Sequence, residues 1–295
     1  MWQQLLKDIQ QSNIKSLARA ISLVENEFEG YTELLKILPA SSTKIIGITG
    51  PPGAGKSTLV DALIGEIIQQ NKTVAVLCVD PSSPFNLGAL LGDRIRMNEW
   101  YNNPNVFIRS LATRGSLGGL HPKIIEITDV LKAAPFHHII IETVGVGQSE
   151  IEIAGLADTT IVTVVPEAGD EIQTMKAGLM EIADVFVVNK ADRPDADLFI
   201  KNLRQMLAPS FHTKQHEIAI VKTIANEKKG INELYEKIIT HQQLTNTNER
   251  KNYLLTEKAF HLIQQRRMKD VSKATLQKEI AAIGHFNLYQ FIETF

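Results

Sequence analysis

The stretch that decides the fold is residues 44–61, which read KIIGITGPPGAGKSTLVD. Residues 44–49 have the β-branched apolar pattern of a short buried strand, Gly50–Ser57 fit G-x-x-x-x-G-K-[ST], and a helical pattern begins at Thr58. A strand, a glycine-rich loop and a helix in that order form a phosphate-binding loop, because backbone N–H groups and the helix N-terminus face the anion. Lys56 is then expected to reach the outer phosphates, and the Ser57 hydroxyl to ligate Mg²⁺.

Length and composition predict a globular protein. The 295 residues are 44% hydrophobic and 22% charged, which suits one large α/β domain with helical additions, or two domains. The net charge of −2 gives no support for nucleic acid as a partner. No apolar run approaches the roughly 20 residues of a membrane span, and the first residues lack the pattern of a secretory signal. We therefore expect a cytoplasmic protein without a membrane partner, in which Cys78 is a buried strand residue.

Short apolar runs alternate with helical patterns from residue 43 to about residue 243. This alternation predicts a P-loop NTPase fold, α/β, with a mostly parallel central sheet flanked by helices on both faces. The predicted strands are 44–49, 73–80, 106–110, 138–143, 158–165, 184–189 and 217–223. Residues 1–42 are predicted to be an N-terminal helical extension packed on this domain, residues 43–243 the nucleotide domain, and residues 244–295 a C-terminal helical segment. The polar residues 242–251 are expected to form a linker or an exposed loop.

Acidic residues follow two of the predicted strands, at the edge where ligands of such sheets bind. Asp80 ends the second strand and leads into a long loop that reaches Asp93, while Glu142 ends the fourth strand. Carboxylates at these positions are expected to hold Mg²⁺ or its water shell. Arg94 and Arg96 close the loop after Asp93, and an arginine there could stabilise charge on a γ-phosphate or remain an ordinary surface residue.

The residues after Glu142 predict the part of the site that faces the γ-phosphate. Gly145 can offer its backbone N–H to that group, and Gln148 follows it three residues later. Because no glutamine directly follows the glycine, we expect slow intrinsic hydrolysis. The attacking water would be positioned by Gln148, by a carboxylate of the 80–93 loop, or with help from a partner.

The sixth strand leads into Asn189-Lys190-Ala191-Asp192, which fits N-K-x-D. Asp192 can accept hydrogen bonds from N1 and N2 of guanine, donors that adenine lacks, while the Lys190 stem packs over the base. A site with such acceptors penalises ATP, so the predicted nucleotides are GTP and GDP. Thr223 to Ala225, after the last strand, occupy the place where a further backbone N–H meets the guanine oxygen.

An acidic segment, residues 166–173, lies between these motifs and is followed by Lys176. One interpretation is a capped helix start with Asp170 and Glu171 near its N-terminus. The other is a third mobile loop that reports the nucleotide state to a partner.

Taken together, the motifs resemble the MeaB/ArgK family of GTPases. The matching strings, from about residue 16 to 225, are SLARAISLVEN, GPPGAGKSTL, VDPSSP with LGDRIRM, ATRGSLGGL, IIIETVGVGQSE, PEAGDEIQTMKAGLMEIAD and VNKADRPDA. The resemblance implies a GTP-hydrolysing chaperone that gates adenosylcobalamin loading and protects an adenosylcobalamin-dependent acyl-CoA mutase, such as methylmalonyl-CoA mutase. It also implies a homodimer, with the C-terminal segment as a possible dimerisation arm.

The resemblance and the motifs together assign the following site residues. The nucleotide-binding residues are Gly50, Pro51, Pro52, Gly53, Ala54, Gly55, Lys56, Ser57, Thr58, Gly145, Asn189, Lys190, Asp192, Thr223 and Ala225. The metal ligands are Ser57, Asp80, Asp93 and Glu142, and the catalytic residues are Lys56, Asp80, Asp93, Glu142 and Gln148. The switch residues are Arg96, Asp170, Glu171, Gln173 and Lys176.

Two other functions remain open from the sequence. One is an ArgK-type ATPase or kinase linked to lysine, arginine and ornithine transport, although N-K-x-D gives ATP no advantage. The other is a GTP-binding regulator with little turnover.

Overall fold

The computed structural model describes residues 1–80, 97–113, 120–145, 152–168, 177–207, 218–245, 247–283 and 287–295. Its centre is a seven-stranded parallel sheet, ordered β3-β2-β4-β1-β5-β6-β7. The strands are β1 (Lys44–Thr49), β2 (Val74–Asp80), β3 (Val106–Ala112), β4 (His138–Glu142), β5 (Thr159–Val164), β6 (Val185–Val188) and β7 (Ala219–Lys222). All seven predicted strands are present, and the predicted fold class is confirmed.

Helices cover both faces of this sheet. They are α1 (Trp2–Gln10), α2 (Ile14–Glu25), α3 (Tyr31–Lys36), α4 (Lys56–Gln69), α5 (Ile124–Lys132), α6 (Ala177–Ile182), α7 (Ala196–Leu207), α8 (Ile231–Leu244), α9 (Asn248–Arg267), α10 (Lys273–Ala282) and α11 (Leu288–Ile292). Short 3-10 turns lie at Asn98–Trp100, Ile153–Gly155, Pro166–Ala168 and Ala225–Glu227. Within these described residues, no helix is long and apolar enough to cross a membrane.

The central strands are apolar on both faces because both faces are covered. Along β1, Ile45 belongs to the core that α1, α2 and α5 cover, whereas Ile46 and Ile48 belong to the core beneath α4 and α8. Successive strand residues therefore face opposite layers. This is why residues 44–49 form a continuous apolar run.

The N-terminal helices pack on the nucleotide domain, as expected from their apolar spacing. Ile9 and Leu17 are buried in the same core as residues of α5. An ion pair adds to this packing, since Arg109 of β3 donates to the Glu25 carboxylate of α2 at 2.7 Å. The domain boundary at residue 42 remains a prediction.

The predicted linker at residues 242–251 is wrong. Helix α8 continues to Leu244 and α9 begins at Asn248, so only a short break separates the two helices. Thr247 caps α9, its hydroxyl accepting a hydrogen bond from the Arg250 backbone N–H. The polar run therefore marks two helix ends rather than a loop.

Helix α9 lies on the nucleotide domain along one face. Lys258 lies 3.5 Å from the Asp129 carboxylate, and the Gln265 side chain donates to the Pro122 carbonyl at 3.0 Å. Leu262 packs against the core shared by α1, α2 and α5. The opposite face of α9 carries exposed apolar side chains, among them Tyr253, Phe260 and Ile263.

A buried histidine lies at the amino-terminal end of β4. The Lys72 ammonium donates to the Tyr235 hydroxyl at 2.8 Å, and that hydroxyl lies 3.1 Å from His138 Nε2. Since Lys72 already donates to the tyrosine oxygen, the phenolic hydrogen is available to a neutral imidazole. Burial, together with the charges of Lys72 and His137, lowers the pKa of His138 to about 4.

We expect this histidine to make the fold less stable in mild acid. The pKa of His138 in the fold lies below the ordinary value of 6.5, so the unfolded chain takes up the proton first as the pH falls. Wild-type stability should therefore decrease by about 3 kcal/mol relative to His138→Gln between pH 7 and 4. Urea unfolding of both proteins at a series of pH values measures this difference.

The matched control is His137→Gln, which changes the exposed neighbouring histidine. That variant should keep most of the wild-type pH dependence, because burial is the largest cause of the lowered pKa of His138 and the charge of His137 the smallest. Parallel stability curves for the wild type and His138→Gln would show that His138 does not carry the effect.

Candidate nucleotide-binding site

The predicted site residues follow strands whose carboxyl ends lie side by side. Across the sheet, Asp80 ends β2 and Glu142 ends β4, while the phosphate loop follows β1 and Asn189 follows β6. The neighbouring strands β1 and β4 are followed by β2 and β5, which lie on opposite sides of this pair, so the two connections run in opposite directions along the sheet. Such a switch point opens a crevice at the carboxyl ends of the strands, where ligands bind.

The phosphate loop requires glycine at two positions where the backbone has positive φ. Gly50 has φ of 137°, and a Cβ there would overlap the Thr163 carbonyl. Gly55 has φ of 85°, and a Cβ there would overlap the Asn189 side-chain amide. Both neighbours are held by the sheet, so a larger residue would displace the loop.

Lys56 and Ser57 lie in the first turn of α4, immediately after the loop. The buried Lys56 ammonium donates to the Gly50 carbonyl at 2.9 Å and to the Pro51 carbonyl at 3.1 Å. Anionic phosphates would compete with these neutral acceptors, because hydrogen bonds between charged groups are stronger. The N-terminus of α4 adds its partial positive charge at the same place.

Ser57 is also a candidate metal ligand, together with the carboxylates of Asp80 and Glu142. The Ser57 hydroxyl donates to Glu142 Oε1 at 2.7 Å, and both side chains are buried. Asp80 is also buried at the end of β2, which pairs with β4 so that Cys78 lies opposite Glu142. The described candidates are therefore one hydroxyl and two carboxylates. Within the described ranges no group of three His, Cys, Asp or Glu side chains could hold a metal ion. These hard oxygen donors fit the chemistry of Mg²⁺.

The backbone after Glu142 lies against the phosphate loop. Gly145 has φ of 81°, and a Cβ there would overlap both the Lys56 ammonium and the Gly50 carbonyl. The structure thus brings Gly145 to the lysine that is predicted to bind the outer phosphates. Sequence reasoning did not single out Thr143, whose hydroxyl donates to that of Thr49 at 2.9 Å.

The predicted base-recognition motif contacts the phosphate loop through Asn189. Its side chain is only 2% exposed and donates to the Ala54 carbonyl at 3.0 Å. The Asn189 side-chain oxygen accepts from the Thr223 hydroxyl at 3.1 Å and from the Ala225 backbone N–H at 3.2 Å. One amide therefore joins three loops.

Lys190 and Asp192 extend from the same strand end. Lys190 donates to the Gly53 carbonyl at 2.8 Å, so its stem spans from β6 to the phosphate loop. The Asp192 side chain is exposed, and the Ala191 backbone N–H between them donates to the Thr223 carbonyl. Next to Asp192, Arg193 pairs with Glu167, which connects this motif to the start of the acidic segment at residues 166–173.

Several predicted residues lie outside the described residues. They are Asp93, Arg96, Gln148, Asp170, Glu171, Gln173 and Lys176. Their assignments as metal ligand, catalytic residue or switch residues therefore remain predictions.

Comparison with known proteins places this site in a family. Residues 17–279 match the model of the family described as methylmalonyl Co-A mutase-associated GTPase MeaB. The chain is 48% identical to a putative GTPase of Pyrococcus abyssi over 251 residues, which cover 82% of this chain and 76% of that protein. It is 37% identical to the GTPase ArgK of Escherichia coli over 245 residues, 79% of this chain and 74% of that protein.

A solved structure has the same fold. The crystal structure of a LAO/AO transport system kinase matches with a TM-score of 0.71 and 28% identity, covering 92% of this chain and 84% of that chain. The family match, the relatives and the P-loop fold agree with one another. The chain belongs to the MeaB family of methylmalonyl-CoA mutase-associated GTPases.

Proposed function

We propose that this GTPase is Mg²⁺-dependent and acts as a chaperone for an adenosylcobalamin-dependent acyl-CoA mutase, such as methylmalonyl-CoA mutase. In this role it gates the loading of adenosylcobalamin and protects the mutase from inactivation. The family description, which names a mutase-associated GTPase, supports the partner. The nucleotide half of the proposal rests on the site itself.

The observation that carries the nucleotide half is the direct attachment of the base motif to the phosphate loop. Asn189 and Lys190 donate to the carbonyls of Ala54 and Gly53, which belong to that loop. The two motifs are therefore held at a fixed separation, on either side of the end of β5. A bound guanine nucleotide would place its phosphates on one motif and its base on the other.

Each part of the site has a distinct task in this proposal. Lys56 exchanges its bonds to the Gly50 and Pro51 carbonyls for the β- and γ-phosphate oxygens. Ser57, Asp80 and Glu142 would hold Mg²⁺, which neutralises charge on the phosphates when bound. Asp192 accepts the guanine N–H groups, and the backbone of Gly145 faces the terminal phosphate.

The movable parts of the proposed switch are loops attached to this anchored centre. In this proposal they are the loops around Asp80, Glu142 and Asp170, of which residues 81–96, 146–151 and 169–176 lie outside the described residues. Loss of the γ-phosphate would remove the acceptors that order such loops. A mutase bound to them would respond to that change.

A second candidate function follows from the name of the structural neighbour. That protein is a transport system kinase, so phosphoryl transfer from ATP is the alternative chemistry. The exposed Asp192 carboxylate favours guanine over adenine, because adenine has no donor at the matching position. Equal turnover of ATP and GTP would favour the kinase.

We also propose that two copies of the chain associate through the outer face of α9. On this face, Tyr253, Phe260 and Ile263 are each half exposed or more. They lie on the opposite side of the helix from Leu254 and Leu262, which face the nucleotide domain. An apolar stripe on both sides of one helix is typical of a helix with a second partner.

The first of three predictions from this proposal concerns base specificity. Asp192→Asn replaces an acceptor by a group that also donates, so it should lower the affinity for GTP about 100-fold and improve binding of xanthosine triphosphate, which has an oxygen at C2. Binding of fluorescent nucleotide analogues measures both effects. Asp195→Asn is the matched control, because Asp195 is exposed in the same loop and should leave GTP binding unchanged.

Lys56→Ala completes this experiment, because it should abolish binding of both triphosphates. Retention of tight GTP binding in Lys56→Ala would contradict the assignment of the phosphate loop. Wild-type affinity of Asp192→Asn for GTP would contradict the assignment of the base motif.

The second prediction concerns the mutase. Adding methylmalonyl-CoA mutase should raise GTP turnover by about tenfold or more. The reason is that no glutamine directly follows Gly145, so we expect intrinsic hydrolysis to be slow without a partner. Transfer of adenosylcobalamin to the mutase should require GTP and should fail with Lys56→Ala. A turnover rate that does not change with the mutase, together with nucleotide-independent transfer, would refute the chaperone function while leaving the GTPase intact.

The third prediction concerns association. Phe260→Asp places a charge in the outer stripe of α9 and should convert a dimer into a monomer, as measured by light scattering after size exclusion. Phe28→Asp is the matched control, since Phe28 is 53% exposed and Phe260 is 60% exposed. A monomeric wild type, or a dimeric Phe260→Asp, would exclude this interface.

A further inference from the structure

Two buried threonines join the ends of β1 and β4 beside the nucleotide site. The Thr143 hydroxyl donates to the Thr49 hydroxyl at 2.9 Å, although the two residues are 94 positions apart in the chain. Thr49 is 0% exposed and Thr143 is 1% exposed. Water therefore does not compete for this bond in the fold.

The position of the pair connects the two halves of the phosphate and metal site. Thr49 immediately precedes Gly50, where the phosphate loop begins, and Thr143 immediately follows Glu142. The ladder between the strands brings Ile48 opposite Glu142, and the Thr143 backbone N–H donates to the Ile48 carbonyl at 3.0 Å. The side-chain bond thus adds one further connection beyond the last pair of the ladder.

The chemistry of the pair argues that the bond has a positional role. Valine has nearly the same shape, favours strands, and buries no hydroxyl, whereas a buried hydroxyl is costly unless it is hydrogen-bonded. Each threonine supplies the partner that the other needs. Their joint presence fixes how the end of β4 lies against the start of the phosphate loop.

We propose that Thr49 and Thr143 are positioning residues that set the distance between the phosphate loop and Glu142. The contact that depends on them is the 2.7 Å hydrogen bond from Ser57 to Glu142. The approach of Gly145 to Lys56 depends on them as well, because Gly145 follows Thr143 by two residues. This inference rests on the proposed function, since it assigns Ser57 and Glu142 to Mg²⁺.

The test on the nucleotide site uses Thr143→Val, which keeps the shape and removes the hydroxyl. Removing the Thr143–Thr49 hydrogen bond, which positions Glu142 in this proposal, should lower kcat for GTP about threefold to tenfold. It should also raise the Mg²⁺ concentration that half-saturates GDP binding by a similar factor. KM for GTP should change by less than about twofold, because the bonds of Lys56 to Gly50 and Pro51 and of Asn189 to Ala54 do not involve Thr143. Thr143→Ser keeps the hydroxyl and should restore both values.

The test on the fold is a double-mutant cycle measured by thermal unfolding. Thr49→Val and Thr143→Val should each lower Tm, because each leaves the other hydroxyl buried without its partner. The double variant should be more stable than either single variant, because it buries no unpaired hydroxyl. This readout does not require GTP turnover.

Thr163→Val is the matched control. Thr163 lies on β5 next to the phosphate loop and is 0% exposed, but its hydroxyl has no hydrogen-bond partner among the described residues. Its replacement should keep or raise Tm and leave kcat and Mg²⁺ dependence unchanged.

Wild-type kcat and Mg²⁺ dependence in Thr143→Val would overturn the inference. Equal defects in Thr143→Ser and Thr143→Val would do the same, and so would additive effects of Thr49→Val and Thr143→Val on Tm. Failure of the proposed Mg²⁺ site has a different signature, because GTP turnover and GDP binding of the wild type would then not depend on Mg²⁺.

Discussion

The side-chain amide of Asn189 is the contact on which the geometry of the site depends. It donates to Ala54 and accepts from Thr223 and Ala225, in a place that water does not reach. Leaving such a buried amide without partners costs about 1–3 kcal/mol, so the arrangement in which the three loops meet is favoured by that amount. Gly55 has to be glycine for the same reason, because a side chain there would occupy the place of the amide.

Strand order brings the candidate metal ligands close to one another. Since β4 lies between β1 and β2, Glu142 and Asp80 end neighbouring strands, next to the phosphate loop that leads from β1 to Ser57. Glutamate is one methylene longer than aspartate, and here it reaches the Ser57 hydroxyl directly. The register of β1 and β4, in which Ile48 lies opposite Glu142, decides whether that contact forms.

Sequence patterns predicted the features that depend on local chemistry. The seven strands were recognisable because strands covered on both faces are continuous apolar runs, and the phosphate loop was recognisable because its backbone demands glycine at fixed positions. The polar run at residues 242–251 misled the prediction, because helix ends facing water have the composition of a loop. The bonds of Asn189 and the Thr49–Thr143 pair were out of reach, since they join residues that only the strand order brings together.

Contacts near both ends of α9 set its orientation on the nucleotide domain. At its start, Arg250 lies 3.7 Å from the carboxylate of Asp184, which precedes β6 at the amino-terminal edge of the sheet. Near its end, Gln265 donates to Pro122, which precedes α5 at the carboxyl-terminal edge. A helix of 20 residues is about 30 Å long, which is enough to reach from one edge to the other. Because both ends are held, the outer stripe with Tyr253 and Phe260 has a fixed direction relative to the nucleotide site. A second copy of the chain that binds this stripe is therefore held at a fixed angle to the nucleotide site.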